Sequence, residues 1–183
     1  IFEYRYRIMM NTILEHDRRF GVLFIDPATG KIAEYGCCAE ILHFQRLPDD
    51  RLKMLSFGQR RFKVLEYVRE KPYRVGLVEW VEDQPPTEDL TPMATEVETL
   101  LRDVVHLSAK LTSQKIELPD DLPSSPTELS YWVASNLYGV ASEQQALLEM
   151  QDTLERLERE HEILSSTRGH LAARTALKDA LED

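Results

Sequence analysis

The nine residues "QPPTEDLTP" (84–92) separate two stretches of chain with different hydrophobic periods, and that change limits what the chain can fold into. Three prolines within nine residues cannot continue a strand ladder or run through a helix interior. Before them, short apolar runs alternate with Gly, Pro and Asp turn signals, the mark of strands. After them, apolar residues recur every three or four positions, the mark of amphipathic helices. Strands followed by helices, rather than interleaved with them, predict an α+β protein with segregated halves. The expected organisation is a β-rich part over residues 1–83, a linker over 84–92 and a helical part over 93–183.

Within the first part, "YRYRIMMNTILEHD" (4–17) carries Ile8, Met9, Ile13 and Leu14 on a short helical face. "FGVLFI" (20–25) reads as a strand and "DPATGK" (26–31) as a turn in which Gly30 is free to take positive φ. "KIAEYGCCAEILHFQRL" (31–47) reads as one long or bulged strand, broken at Gly36. "RLKMLSFG" (51–58), "RFKVLEYV" (61–68) and "YRVGLVEWVED" (73–83) follow, with Gly58 expected to form the tight turn between the first two. About five short strands, apolar on much of both faces, suggest a small closed or nearly closed barrel. Alternation from Phe62 places Phe62, Val64 and Val68 on one strand face and Lys63, Leu65 and Tyr67 on the other.

In the second part, Met93, Val97, Leu100, Leu101, Val104 and Leu107 define a helix over 92–111. Ser125, Pro126 and Glu128 read as the cap and first turn of a short helix that ends near Gly139 as C-cap. Ser142 then opens the longest helix, expected over 142–166, where Leu147, Met150, Leu154, Leu157, His161 and Leu164 fall on a heptad-like seam. That seam fits packing against the other helices or against a partner helix. The alanine-rich tail beyond Gly169 is expected to continue as helix, mobile alone and ordered in a complex.

Charge follows the same division. Residues 1–83 hold 14 Lys and Arg against 13 Asp and Glu, whereas the remainder holds 8 against 19. So acidic a second half disfavours phosphate backbones, and no nucleic-acid partner is expected. No apolar run approaches the roughly 20 residues of a membrane span. Cys37 and Cys38 are adjacent, a spacing suited neither to a structural disulfide nor to zinc, and buried free thiols in a reducing compartment are expected.

The chain contains no GxxxxGK[ST] phosphate loop, no GxSxG elbow and no HExxH metal motif among His16, His43, His106, His161 and His170. "EREHE" places Glu158 and Glu162 near His161, but a solvated charged face is the expected reading over a metal site. No catalytic, cofactor-binding or metal residue is therefore assigned, no cofactor is expected, and the chain is read as not an enzyme. Arg60-Arg61, beside Phe57, Phe62 and Tyr67, could offer charge and stacking to RNA. The expected arrangement is instead ordinary: Arg61 packs its stem along the barrel and pairs with a carboxylate, while Arg60 stays solvated.

Several stretches, taken in order, resemble the Lon-type substrate-binding domain. They are "IFEYRYRIMM" (1–10), "FGVLFID" (20–26), "GCCAEI" (36–41), "LPDDRLKMLSFGQRRFKVLE" (47–66), "KPYRVGLVEWVED" (71–83) and the helical "PTELSYWVASNL…EQQALLEMQDTLERLE". The resemblance implies a PUA-like β-pseudobarrel followed by a C-terminal helical bundle with one long helix. It also implies binding of protein segments without ATPase or peptidase, with the partner-binding residues unknown. The first and last of these stretches look most like the stand-alone version of plastids and cyanobacteria, which implies a chloroplast location (stroma or thylakoid-associated) or a cyanobacterial cytoplasm. The family opens with an apolar strand before "IFE"; this chain begins at Ile1, and a fragment or processed form is expected. If that strand is missing only from the present sequence the barrel edge is closed; if it is absent from the protein, an open edge could pair with another chain. A structural role in a large assembly, docking through the C-terminal helices, is the alternative reading.

Overall fold

A computed structural model describes residues 1, 3–49, 51–112, 117–137 and 141–182. The chain folds into two compact units, Ile1–Glu82 and Asp83–Asp183. The fold is α+β: an antiparallel half-barrel of four strands, then helices.

The first unit opens with helix α1 (Tyr4–Leu14), followed by β1 (Arg19–Ile25), β2 (Ile32–Arg46), β3 (Leu52–Arg69) and β4 (Val75–Val81). Each strand pairs antiparallel with its neighbour in chain order, β1-β2-β3-β4. The β1–β2 turn forms where the sequence predicts it. The Asp26 carboxylate accepts the Ala28 N–H at 2.8 Å and the Thr29 hydroxyl at 2.7 Å, and Gly30 takes φ +68°. Those two bonds hold the Asp26 carboxyl below its usual range.

Four described strands replace the expected five or so, because Gly58 makes no turn. Residues 52–69 run as one strand through it, with Gly58 paired to Ala39. Gly36 likewise does not break β2. It sits inside the ladder between Leu23 and Phe62, where a Cβ would lie 2.4 Å from the Val22 carbonyl oxygen and 2.8 Å from the Phe62 ring. The glycine makes room for a ring rather than for a bend. The irregularities that bend β2 fall elsewhere, between Cys37 and Ala39 and between Ile41 and His43.

Met10 of α1 is buried with Ile41 and Leu52 in a small core, joined by Phe20 and Met54. Beyond the helix end at Leu14, Arg18 takes a left-handed backbone (φ 58°); its N–H reaches the Ile13 carbonyl at 3.0 Å and its own carbonyl accepts the Ile41 N–H at 2.9 Å. This turn carries the chain from α1 into β1.

The second unit contains α2 (Thr91–Thr112), α3 (Pro126–Ser135), α4 (Ala141–Glu149) and α5 (Thr153–Glu182). Val97, Leu100 and Leu101 of α2 pack with Leu129 and Val133 of α3 and with Leu157 and Leu164 of α5. The contact Glu96–His161 and the ion pairs Asp103–Arg168 and Lys110–Asp179 advance together along both helices, so α2 and α5 run parallel. The expected helix over 142–166 is in fact two. Asp152 interrupts it, its carboxylate accepting the Leu154 N–H at 2.8 Å and so capping α5. The heptad-like seam is broken with it: Leu147 belongs to α4, Met150 to the break, and Leu157 and Leu164 to the core of α5. The tail continues α5 through Gly169, making it a 30-residue helix. Ser125 does precede α3 with Pro126 in its first turn, but its side chain makes no capping bond. Asn136, not Gly139, is the C-cap of α3, and Gly139 lies outside the described residues.

Candidate functional site

The inner face of the half-barrel forms an open groove of about 470 Å³. Its floor is Phe62, Val64 and Tyr67 of β3, flanked by Phe20 and Leu23 of β1 and by Val78 and Trp80 of β4. Met9 and Ile13 of α1 form one lip, and Tyr73 and Arg74, just before β4, form part of the other. Phe62 is the pivot. It is buried, and its ring tip would lie 2.8 Å from a Cβ built at either Gly21 or Gly36. Two glycines on neighbouring strands thus let one ring sink to the backbone, and the groove gains depth above it.

Strict alternation does not predict this floor. The register of β3 against β4 slips between Val64 and Glu66, so Leu65 is extra and Tyr67 joins Phe62 and Val64 on the groove side. Val68, expected on that side, is exposed, as is Leu65. The bulge is set by pairing between distant strands, so nothing local to "RFKVLEYV" announces it.

Arginines cap the aromatic rings around the groove. Arg74 lies 5.4 Å from the Tyr67 ring centre, Arg69 4.8 Å from Tyr73 and Arg60 4.7 Å from Trp80. Cation–π contacts of this kind keep rings and guanidinium groups oriented without consuming the guanidinium hydrogen-bond donors. Arg60 stays in solvent as expected, its side chain 52 % exposed, and it also pairs with the exposed Glu82 at 2.7 Å. The register explains this, because Arg61 faces Val81 and so brings residues 60 and 82 together. Arg61 is buried, 6 % exposed, as its expected stem packing requires, and it is engaged within the fold.

Cys38 reaches the groove wall and Cys37 does not, since successive strand residues point to opposite faces. Both are free thiols, and burial pushes both up, leaving them protonated at neutral pH. Among the described residues no three His, Cys, Asp or Glu side chains gather to hold a metal. His161 faces Glu96 of α2 at 3.7 Å.

The second unit holds a buried polar cluster that composition conceals. Arg156 is fully buried, donating to Asp83 Oδ2 at 2.5 Å, to the Ser130 hydroxyl at 2.9 Å and to the Met150 carbonyl at 3.1 Å. Its guanidinium lies 4.0 Å from the Tyr131 ring centre, and the Tyr131 hydroxyl donates to Asp83 Oδ1 at 2.8 Å. One turn along α5, Glu160 is also fully buried, and neither carboxyl oxygen has a hydrogen-bond partner. Burial pushes it up to about 9 against the opposing pull of Arg156, so it is neutral at pH 7. These are groups of the fold rather than of a cleft.

A half-barrel with an aromatic groove, followed by helices of which two run parallel, defines a class as well as a shape. The chain belongs to the family of ATP-dependent protease La (Lon) substrate-binding domains, whose model matches residues 1–166. It is 30% identical over 148 residues to a Lon protease of Anaeromyxobacter dehalogenans, covering 76% of this chain and 17% of the relative. A Lon protease of Trichlorobacter lovleyi is 27% identical over 164 residues, covering 86% and 20%. The chain thus spans a fifth or less of the length of these curated relatives. The crystal structure of a Lon N-terminal domain protein from Xanthomonas campestris superposes with TM-score 0.60 at 26% identity, covering 87% of this chain and 83% of that one. The N-terminal domain of a Mycobacterium avium complex Lon protease shares the fold, with TM-score 0.61 at 18% identity. Among the described residues no helix is long and apolar enough to cross a membrane.

Proposed function

We propose that this chain is a non-catalytic protein-binding module that holds extended, apolar stretches of client proteins in the groove of its first unit. The observation that carries the reading is the concentration of aromatic side chains, Phe20, Phe62, Tyr67, Tyr73 and Trp80, on one concave face between two edge strands. Trp80 is 44 % exposed although it borders the groove, a surface that an apolar segment would cover. Family membership supports a protein as the ligand.

The test is titration of a labelled, permanently unfolded model protein, followed through Trp80 emission in a Trp132→Phe background. Binding that Tyr73→Ala or Val78→Asp weakens at least tenfold, with the fold intact by circular dichroism, supports the reading. Binding indifferent to both substitutions, or no binding, refutes it.

A second reading, assembly through the C-terminal helix, is favoured by one observation: Leu177 and Leu181 of α5 are 65 % and 87 % exposed. Removing residues 176–183 separates the two, since client binding survives and assembly does not. The "IFEYRYRIMM" and "EQQALLE" segments support a plastid or cyanobacterial setting, which fractionation of cells expressing the tagged protein tests.

A further inference from the structure

Every hydrogen-bond donor of Arg156 is taken. Nε donates to the Ser130 hydroxyl at 2.9 Å, and Nη1 to Asp83 Oδ1 at 3.2 Å and to the Met150 carbonyl at 3.1 Å. Nη2 donates to Asp83 Oδ2 at 2.5 Å and to the Thr153 hydroxyl at 3.4 Å. Those contacts account for all the N–H groups a guanidinium has. Glu160 lies four residues further along α5, on the same helical face, yet receives none of them. It is fully buried, and neither of its oxygens has a partner. Two carboxyl groups thus attend one buried cation, and the fork is closed on Asp83.

The elements packed around Glu160 supply no other free charge. On α2, Glu96 faces His161 and Asp103 faces Arg168, while Val97, Leu100 and Leu101 are apolar. On α4, Glu143 binds Arg159. On α3, Tyr131 donates to Asp83, and Leu129 and Val133 are apolar. Arg156 is the charge that acts on Glu160. One buried cation balances one carboxylate, so the cluster keeps a proton on the carboxyl that lacks donors. Glu160 is that neutral member.

Asp83 anchors the segment that opens the helical unit. The next residue, Gln84, donates its N–H to the Gln151 carbonyl at 2.8 Å, and Leu90 is buried in the core. We infer that Glu160 is a reserve counter-ion for Arg156: when it gives its proton to solvent, the guanidinium turns from Asp83 to Glu160 and the segment 83–90 is unclasped. Asp83 keeps its charge throughout. Its side chain is already 12 % exposed, so on release it gains water instead of leaving two buried anions beside one cation. The device belongs to the helical unit and does not depend on the groove reading.

The experiment follows the side-chain carboxyls by carbon-detected NMR, and the Leu90 methyl groups by methyl NMR, over a pH titration of the full chain. In the wild type the Glu160 carboxyl and the Leu90 methyls should titrate together, near pH 9. In Glu160→Gln the Leu90 methyls should stay flat, and Glu158→Gln, at an exposed neighbour, should change nothing. Asp83→Asn removes the competing carboxylate, so the Glu160 midpoint should fall by roughly 1–3 pH units. Thermal melts at pH 8 should then reverse in sign: Glu160→Gln raises Tm in the wild type and lowers it in Asp83→Asn. A rise in both backgrounds, Leu90 methyls indifferent to the Glu160 titration, or a wild-type Glu160 midpoint near 4.5 would each overturn the inference. Should Asp83→Asn fail to fold, the paired titrations of the wild type and Glu160→Gln decide it alone.

Discussion

The guanidinium of Arg156 and the carboxylate of Asp83 meet through two hydrogen bonds, Nη2 to Oδ2 at 2.5 Å and Nη1 to Oδ1 at 3.2 Å, with the arginine wholly out of solvent. Asp83 is the first residue of the helical unit, and Arg156 lies in the first turn of α5. The Thr153 hydroxyl, at 3.1 Å, and the Tyr131 hydroxyl also donate to the carboxylate. A buried pair so fully bonded specifies one arrangement of α3, α5 and the segment that begins the unit.

Removing one partner should therefore cost far more than a surface pair would. Asp83→Ala strands a buried positive charge and should destabilise the second unit by about 3–5 kcal/mol. Asp83→Asn, which keeps an acceptor for Tyr131, should cost less. Urea unfolding followed by Trp132 emission in a Trp80→Phe background reads both, and a loss below about 1 kcal/mol for Asp83→Ala would contradict the account.

Glu160 makes stability depend on pH in an unusual direction. In the fold it keeps its proton up to about 9, whereas in the unfolded chain it loses it near 4.5. Between these values the folded state binds the extra proton, so stability falls as pH rises through that window. Glu160→Gln, which mimics the neutral form, should match the wild type near pH 4.5 and exceed it by roughly 2–4 kcal/mol at pH 8. Parallel thermal melts of the two proteins at pH 5 and pH 8 check the sign.

Two glycines should respond oppositely to the same substitution. Gly36→Ala drives a methyl into the Val22 carbonyl and the Phe62 ring and should cost roughly 1–3 kcal/mol. Gly169→Ala meets nothing within 4 Å in the middle of α5 and should stabilise by about 0.5–1 kcal/mol. Chemical denaturation of the single variants measures both.

The ion pairs Asp103–Arg168 and Lys110–Asp179 between α2 and α5 are half-exposed, and each should matter little. Lys110→Ala and Asp103→Ala should each cost less than about 1 kcal/mol, and less at high salt. Denaturation at two ionic strengths tests this.

The division of the chain into strands then helices was legible from hydrophobic period and from the prolines near residue 90, because both are local signals. The Asp26 turn was legible for the same reason. What escaped the sequence depended on partners far along the chain. Gly58 and Gly36 look like turn residues until β2 and β3 are paired, and only then does Phe62 explain Gly36. Tyr67 reaches the groove through a register slip against β4, so no alternation count within β3 could place it. Asp152 looked like one more acid in a charged helix, although its side chain ends one helix and starts the next. Arg156 and Glu160 sit in a run dense with charge, and only their burial sets them apart from its solvated face. The groove was missed entirely, since its five aromatics are scattered over β1, β3, β4 and the turn before β4.

Because α2 and α5 point the same way, their peptide dipoles stand side by side with like ends together instead of cancelling as in an antiparallel pair. Asp89, whose carboxylate accepts the Thr91 N–H at 3.0 Å, and Asp152 place negative charge at the two amino ends. Lys110 sits in the last turn of α2. Each charge lies where it opposes the partial charge of its own helix end. The helical unit is thus electrically polar along the α2–α5 axis, and its acidic caps are counter-charges that let two aligned dipoles lie together.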